Sequence, residues 1–318
     1  VKLQIVFPEF DVTKAPQFTA PALARLLAVG CQQRMAGTVE ALLCQAIGVC
    51  RQADWPLAPI SRLGEGASDA GSGYWLKVDP VHLVLQRDYF SLGPRLLLSL
   101  EESQALLALL NQHFSADGLT FLAASIPDYW YLHLQDDPQI STAELSVAIG
   151  RDTTSYMPQG QGATKWNRLL NEMQMLLHEH PINQARELRG ELAANSVWLS
   201  GGGVLPLLAV PANKAIYAND ALSAGLALLA GQPARSLLAD MHKVLDEPHG
   251  EVLLVMQESP SAELMEAVLH ALKQRKISHL TMDFALHGEV LRVEAQPLDT
   301  WKFWKKPQSI ASLLGTGA

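Results

Sequence analysis

Trp166, Leu169, Leu170, Met173, Leu176 and Leu177 recur at i, i+3, i+4 and i+7, the spacing of a helix with one apolar face. Pro181 has no amide hydrogen and biases His180 away from helical geometry, so that helix is predicted to end near His178. A polar run with His180, Asn183, Arg186, Arg189 and Asn195 follows, then a buried strand at 196–199 and three glycines, Gly201, Gly202 and Gly203. At the start of the chain, residues 3–7 are an apolar run closed by Pro8 and read as a buried strand. Pro21 opens a helix that carries Leu23, Leu26 and Leu27 and closes at Gly30. A second helix is predicted over 38–52, with Val39, Leu42, Leu43 and Ile47 inward.

The run GEGASDAGSG at 64–73 reads as a flexible connector and the first domain boundary. Beyond it, 78–86 reads as a strand, and Ser99-Leu100-Glu101-Glu102 is a capping box opening a leucine-rich helix to Phe114. Asp117-Gly118 is a turn, and 119–123 and 129–134 are two strands around Pro127. This β-α-β-β order predicts an α+β domain of its own, and 138–162 reads as loop. After the glycines, 214–217 and 252–256 are strands, and Asp220 caps a helix that ends at Gly231. Ser259-Pro260 starts a helix through Leu272, and 279–284 with 289–293 form a hairpin about His287-Gly288. Strand and helix alternate on both sides of the central block, which predicts an α/β sheet interrupted by an inserted domain.

Composition narrows the partners. Of 318 residues, 48% are hydrophobic and 18% charged, as in ordinary globular chains, and the length favours two domains. A net charge of −8 argues against a nucleic-acid backbone as partner. Cys31, Cys44 and Cys50 form no CxxC pair and read as small apolar residues in helices. Glu9 and Asp11 follow the first apolar run directly, so no signal peptide is visible, and no apolar segment is long enough to span a bilayer. The expectation is a soluble, cytoplasmic chain with neither membrane nor nucleic-acid partner.

Two readings of the polar run stand from residue types alone. Arg forks and glycine amides suit an anion, whereas a buried polar hinge, with the arginines paired to Glu187 or Glu191, is the commoner use of such residues. Pro206 and Pro211, not a helix, follow the glycines, so neither a dinucleotide fingerprint nor a P-loop is present. His178 and His180 are two apart and cannot chelate from one helical face. Asp79-Pro80-Val81-His82 either places an acid and a base in one loop or starts a strand. Asp246, Glu247, His249 and Glu251 are metal-compatible in type but spaced as a solvated turn. Residues 301–306, WKFWKK, mix rings and cations, and the two tryptophans are expected to dock on the protein's own surface.

The stretch HPINQARELRGELAANSVWLSGGGVLP resembles a segment of the archaeal-type, cofactor-independent (2,3-bisphosphoglycerate-independent) phosphoglycerate mutases. Its matching positions are His180, Pro181, Ile182, Asn183, Arg186, Gly190, Ala194, Asn195, Trp198, Leu199, Gly201 and Gly203. The whole chain, with its WKFWKKP, resembles a bacterial branch of that family labelled regulatory protein RpfE. The resemblance implies an alkaline-phosphatase-like sheet domain with helices on both faces, at 1–70 and 195–318, interrupted by an inserted substrate-side α+β domain at 74–190. It also implies two divalent metals, a Ser or Thr nucleophile, and Asp and His ligands at strand ends. Here the sequence departs: the first strand delivers Phe7-Pro8-Glu9, 252–256 is followed by Gln257-Glu258-Ser259-Pro260, and Asp283-Phe284 stands where an Asp-His pair is expected. Thr19 lies in the nucleophile region.

The expectation is therefore a degenerate, regulatory relative without a metal cofactor. It would bind a small anionic or phosphorylated metabolite through His180, Asn183, Arg186, Asn195 and the amides of Gly201, Gly202 and Gly203. One alternative is an active mutase or phosphohydrolase holding manganese or zinc on Glu9, Asp11, Glu258 and Asp283. Another is a protein-interaction module whose contact is the 301–306 segment.

Overall fold

The computed structural model describes residues 1–8, 20–208, 214–236, 244, 250–257, 261–286 and 288–307. Glu9, Asp11, Thr19, Asp246, Glu247, His249, Glu258, Ser259, Pro260 and His287 lie outside the described residues. In chain order, β1 (Lys2–Phe7), α1 (Pro21–Val29), β2 (Cys31–Ala36) and α2 (Val39–Ile47) come first. Then follow α3 (Leu57–Gly64), β3 (Tyr74–Val81), β4 (Leu83–Leu85), β5 (Phe90–Leu92), α4 (Leu100–Phe114), β6 (Thr120–Ala123) and β7 (Trp130–Leu134). The turn α5 (Leu145–Ala148), α6 (Ala163–His178), α7 (Pro181–Leu188) and β8 (Ser196–Gly203) complete the middle of the chain. The rest holds β9 (Ala215–Tyr217), α8 (Ala221–Leu229), β10 (Glu251–Val255), α9 (Ala262–Lys273), β11 (His279–Leu286) and β12 (Glu289–Ala295).

Two units result, one of residues 1–48 and 208–318, the other of 49–207. The first is built on a six-stranded sheet in the order β2-β12-β11-β1-β10-β9. Strand β1 runs parallel to β10 and β11, and β10 parallel to β9, while β12 and β2 are antiparallel additions. Leu3, Ile5 and Phe7 point to one face, where Leu23, Leu26 and Leu27 of α1 and Met265, Val268 and Leu272 of α9 close a core. Helices α2 and α8 touch each other and pack on β11 and β9, outside that core. The expected α/β sheet, with strands buried between helices, is the observed one.

The opposite face of β11 carries a buried ion pair. Asp283 stands in register with Arg292 of β12, whose Nε and Nη2 donate to its two oxygens at 2.7 and 2.9 Å. Gln4 Nε2 donates to Oδ2 at 2.8 Å, and the Asp283 side chain is fully buried. Both carboxylate oxygens are therefore satisfied by the sheet itself, and burial of Arg292 is outweighed by its partner, which holds the guanidinium above its ordinary range.

The second unit has an antiparallel sheet in the order β6-β7-β3-β8. Tyr74, Leu76 and Val78 face a core closed by Leu106, Leu110 and Phe114 of α4 and by Trp166, Leu169 and Met173 of α6. Helix α4 starts at the predicted capping box, with Ser99 Oγ accepting from Glu102 N and Glu102 Oε2 accepting from Ser99 N. Gly118 adopts φ +73 at the predicted turn.

Several sequence expectations need correction. The units divide at 48/49 and 207/208, so residues 196–203 lie with the second unit, because β8 pairs antiparallel with β3. The 64–73 run is no boundary: Arg62 holds Asp69 with two hydrogen bonds of 3.2 Å, and Ala70 is buried. Helix α2 stops at Ile47, since Gly48 takes a left-handed φ of 86. Of the cysteines only Cys44 lies in a helix; Cys31 opens β2 and Cys50 follows α2, both exposed. Strand β2 itself went unpredicted because CQQRMA is almost wholly exposed, as suits a sheet edge protected by polar side chains.

Asp283→Ala should destabilise the first unit by about 3 kcal/mol in a urea titration, by leaving Arg292 unpaired. Replacing both partners by leucine should recover most of that loss, and an Asp283→Ala protein of full stability would remove the pair from any structural role.

Candidate functional site

The polar run after α6 is held by its own chain. Helix α6 ends at His178, and His180 caps α7 by accepting from Ile182 N through Nδ1 at 3.3 Å. Partial burial lowers the pKa of His180. Asn183 is buried and makes three bonds, from Nδ2 to Leu177 O and Ala194 O and to Oδ1 from Ala194 N. Asn195 imitates a strand neighbour, accepting from Leu83 N at 2.7 Å and donating to Leu83 O at 3.0 Å. Arg186, also buried, donates to Leu192 O, Leu97 O and, at 2.6 Å, Glu102 Oε2. Arg189 reaches Glu102 and Glu191. Glu102 thus serves the α4 cap and two arginines together. Residues 189–195 form neither helix nor strand, so their backbone groups need side-chain partners, and these residues supply them.

The glycines are not a loop. Gly201, Gly202 and Gly203 are the buried end of β8. Gly201 sits at φ +62 beside the register slip between Trp75 and Lys77, where a Cβ would lie 2.9 Å from Leu57. At Gly202 it would meet Leu76 at 2.7 Å, and at Gly203 Pro56 at 2.7 Å. Their lack of side chains lets the 49–64 stretch lie close on the sheet. The Gly202 amide does contact an anion, the carboxylate of Asp54, which also accepts from Thr142 N and Oγ1. Burial nonetheless raises the Asp54 pKa. The side chains of Asn183, Arg186 and Asn195, the Nδ1 of His180 and the Gly202 amide thus have partners inside the protein.

Buried polar groups that lack hydrogen bonds among the described residues lie on the other face of the same sheet. Along YWLKVDPV, Trp75, Lys77 and Asp79 alternate with the core residues Tyr74, Leu76 and Val78. Lys77 is in register with Ser200 of β8 and Tyr131 of β7. Asp79 is 1% exposed, and neither of its oxygens has a hydrogen-bond partner among the described residues. Its nearest cation is Lys77 Nζ, 3.5 Å away. The buried Ser200 hydroxyl also lacks a partner. Lys77 Nζ stands 4.9 Å from the centre of the Tyr129 ring. Burial opposes its charge, but Asp79 and Glu144 outweigh burial and hold the ammonium above the usual lysine range. Burial pushes the hydroxyls of Tyr129 and Tyr131 up, so both stay protonated at neutral pH.

For Asp79 the sequence leaves open an acid–base loop with His82 or a strand start; it lies within β3, near its end, while His82 Nδ1 contacts Ala193 O at 2.8 Å. The legible signal was two charges at alternate positions of an otherwise apolar strand. An ionised carboxylate accepts only, and an ammonium donates only. Together they suit a ligand with a hydroxyl donor beside an anionic oxygen. Among the described residues, no three His, Cys, Asp or Glu side chains converge as a metal site would require.

Asn183→Ala should cost about 3 kcal/mol by removing three buried hydrogen bonds, to Leu177 O, Ala194 O and Ala194 N. Chemical unfolding followed by circular dichroism measures this, and a cost below that of a surface substitution would separate Asn183 from the clasp.

Comparison with known proteins points to one family. The chain is 37% identical over 60 residues to a probable 2,3-bisphosphoglycerate-independent phosphoglycerate mutase of Geobacter sulfurreducens, covering 19% of this chain and 15% of that protein. It is 27% identical over 114 residues to the 2,3-bisphosphoglycerate-independent phosphoglycerate mutase of Methanosarcina mazei, covering 34% and 28%. The matches thus span less than a third of either curated relative. Among solved structures, the cofactor-independent phosphoglycerate mutase of Thermoplasma acidophilum is similar at 15% identity and a TM-score of 0.41, covering 93% of this chain and 90% of that one. The PH0037 protein of Pyrococcus horikoshii is similar at 14% and 0.49, covering 93% and 87%. No family model matches the chain. Over 60 and 114 residues, then, the chain is similar to cofactor-independent phosphoglycerate mutases.

Proposed function

We propose that this relative of the cofactor-independent phosphoglycerate mutases has given up metal-dependent phosphoryl transfer and acts as a regulatory binder of a small hydroxy acid or its phosphate ester. The ligand sits on the outer face of the β3–β8 pair. Its anionic oxygens meet the Lys77 ammonium, and its hydroxyls donate to Asp79 and share a hydrogen bond with Ser200. The observation that carries this reading is a buried carboxylate, Asp79, and a buried hydroxyl, Ser200, that both lack hydrogen-bond partners among the described residues beside a lysine kept cationic. Leaving such groups unmet costs about 1–3 kcal/mol each, a cost that a complementary ligand removes.

The loss of phosphotransfer is supported by Asp283. It is the carboxylate nearest the C-terminus that the family resemblance would recruit for a metal, and Arg292 and Gln4 engage both of its oxygens. A carboxylate so engaged does not fit a metal's first coordination sphere. An active mutase with manganese or zinc on Glu9, Asp11 and Glu258 is the second reading, favoured by the similarity to relatives named as mutases.

Calorimetric titration of the intact chain with 3-phosphoglycerate and glycerate distinguishes these. Binding should occur without added metal and weaken at least about tenfold in Asp79→Asn or Lys77→Met, the loss of one charge-assisted contact. Absence of binding by either compound, or binding indifferent to both substitutions, overturns the site. Mutase turnover with added manganese overturns the non-catalytic reading.

A further inference from the structure

The aromatic–basic segment does not dock as its sequence suggests. Trp301, Phe303 and Trp304 are 74%, 83% and 66% exposed, and Leu298, just before them, is 70% exposed. Their backbone, by contrast, is fastened. Arg25 of α1 donates to Thr300 O and Lys305 O, Lys302 Nζ reaches Asp299 and Val29 O, and Gln296 opens the turn 297–301 with a reciprocal cap. Phe303 and Trp304 meet edge to face, 5.2 Å between ring centres. Lys305 and Lys306, directly after the rings, are exposed. Four large apolar side chains held out from an anchored turn, with cations at their rim, oppose the acidic balance of the chain as a whole.

From this we infer that residues 298–306 are a docking surface for an anionic lipid bilayer, on which the protein associates peripherally. Tryptophan is amphipathic and favours the headgroup level of a membrane, where its ring is buried and its N–H stays hydrated. Rings that project from a turn need no shaped groove on the partner, which favours a fluid interface over a folded protein surface. Lysines beside them gain from the negative surface potential of anionic headgroups, by about fivefold in affinity each. No helix among the described residues is long and apolar enough to cross a membrane, so the association is reversible and superficial. The inference is independent of the Lys77–Asp79 site.

Co-sedimentation of the full chain with vesicles of phosphatidylcholine and phosphatidylserine tests it, against phosphatidylcholine alone. Binding should appear only with the anionic mixture, fall as salt rises, and shift tryptophan emission to the blue. Lys305→Gln with Lys306→Gln should weaken it about 25-fold, and Trp301→Ala with Trp304→Ala about tenfold or more while abolishing the spectral shift. All four positions are exposed, and unchanged thermal unfolding confirms the fold of each variant. Failure of the wild-type chain to bind the anionic vesicles at low salt overturns the inference, as does binding unaffected by the substitutions. Capture by an acidic polypeptide, with none by vesicles, overturns it in favour of a protein partner.

Discussion

The antiparallel pairing of Tyr74–Val81 with Ser196–Gly203 is the constraint from which the second unit follows. It joins the two ends of the inserted stretch, so 49–207 closes on its own sheet and core. The same register sets Ser200 opposite Lys77 and Trp198 opposite Asp79. It also explains the glycines. Where the pairing slips between Trp75 and Lys77, a left-handed residue is required, and where 49–64 approaches the sheet no Cβ fits. One ladder therefore determines the domain boundary, the glycine run and the placing of the polar face.

Buried polar groups divide the unit into a finished side and an unfinished one. Around α7, Asn183, Asn195 and Arg186 bind the backbone of the α6 end, of β4 and of the irregular 192–194 stretch, and Glu102 closes the set. A satisfied network of this kind is rigid and specifies a single arrangement. Across the sheet, Asp79 and Ser200 are as deeply buried and have no such partners. The Asp79 carboxylate offsets its burial with the Lys77 ammonium alone, and a well-packed apolar residue there would stabilise the strand more.

What the sequence disclosed follows the range of the forces involved. Local signals were legible: the Ser99 capping box, the end of α6 at His178 before Pro181 and the Asp117-Gly118 turn act over a few residues, and each stands where expected, whereas α7 itself was not foreseen. Apolar periodicity likewise located β1, α1 and α6. Partnership across tens of residues was not legible. The expected pairing of Arg186 and Arg189 with Glu191 is present, but the shorter contact of Arg186 is to Glu102, 84 positions away and fixed only by the tertiary fold. The resemblance to a mutase segment could not separate clasp residues from ligand residues, because both uses draw on the same residue types. The exposed rings of 301–306 were misjudged for a related reason: hydrophobicity alone favours burial, and nothing local reveals that the backbone is anchored while the side chains are left out.

Asp283 carries the relation to the mutases to its physical limit. A carboxylate at a strand end binds a divalent cation only if its lone pairs are free and the neighbouring charge is accommodating. In β11 both oxygens face donors, and the nearest is a guanidinium that cannot lose its proton and matches the carboxylate in plane and spacing. Freeing Asp283 for a metal would leave Arg292 unpaired in the sheet and set two cations against each other. The fully buried carboxylate thus gains its compensation from a fixed cation of the chain instead of an exchangeable ion. A sheet can in this way bury an acidic side chain with a fixed cation of its own as the compensation.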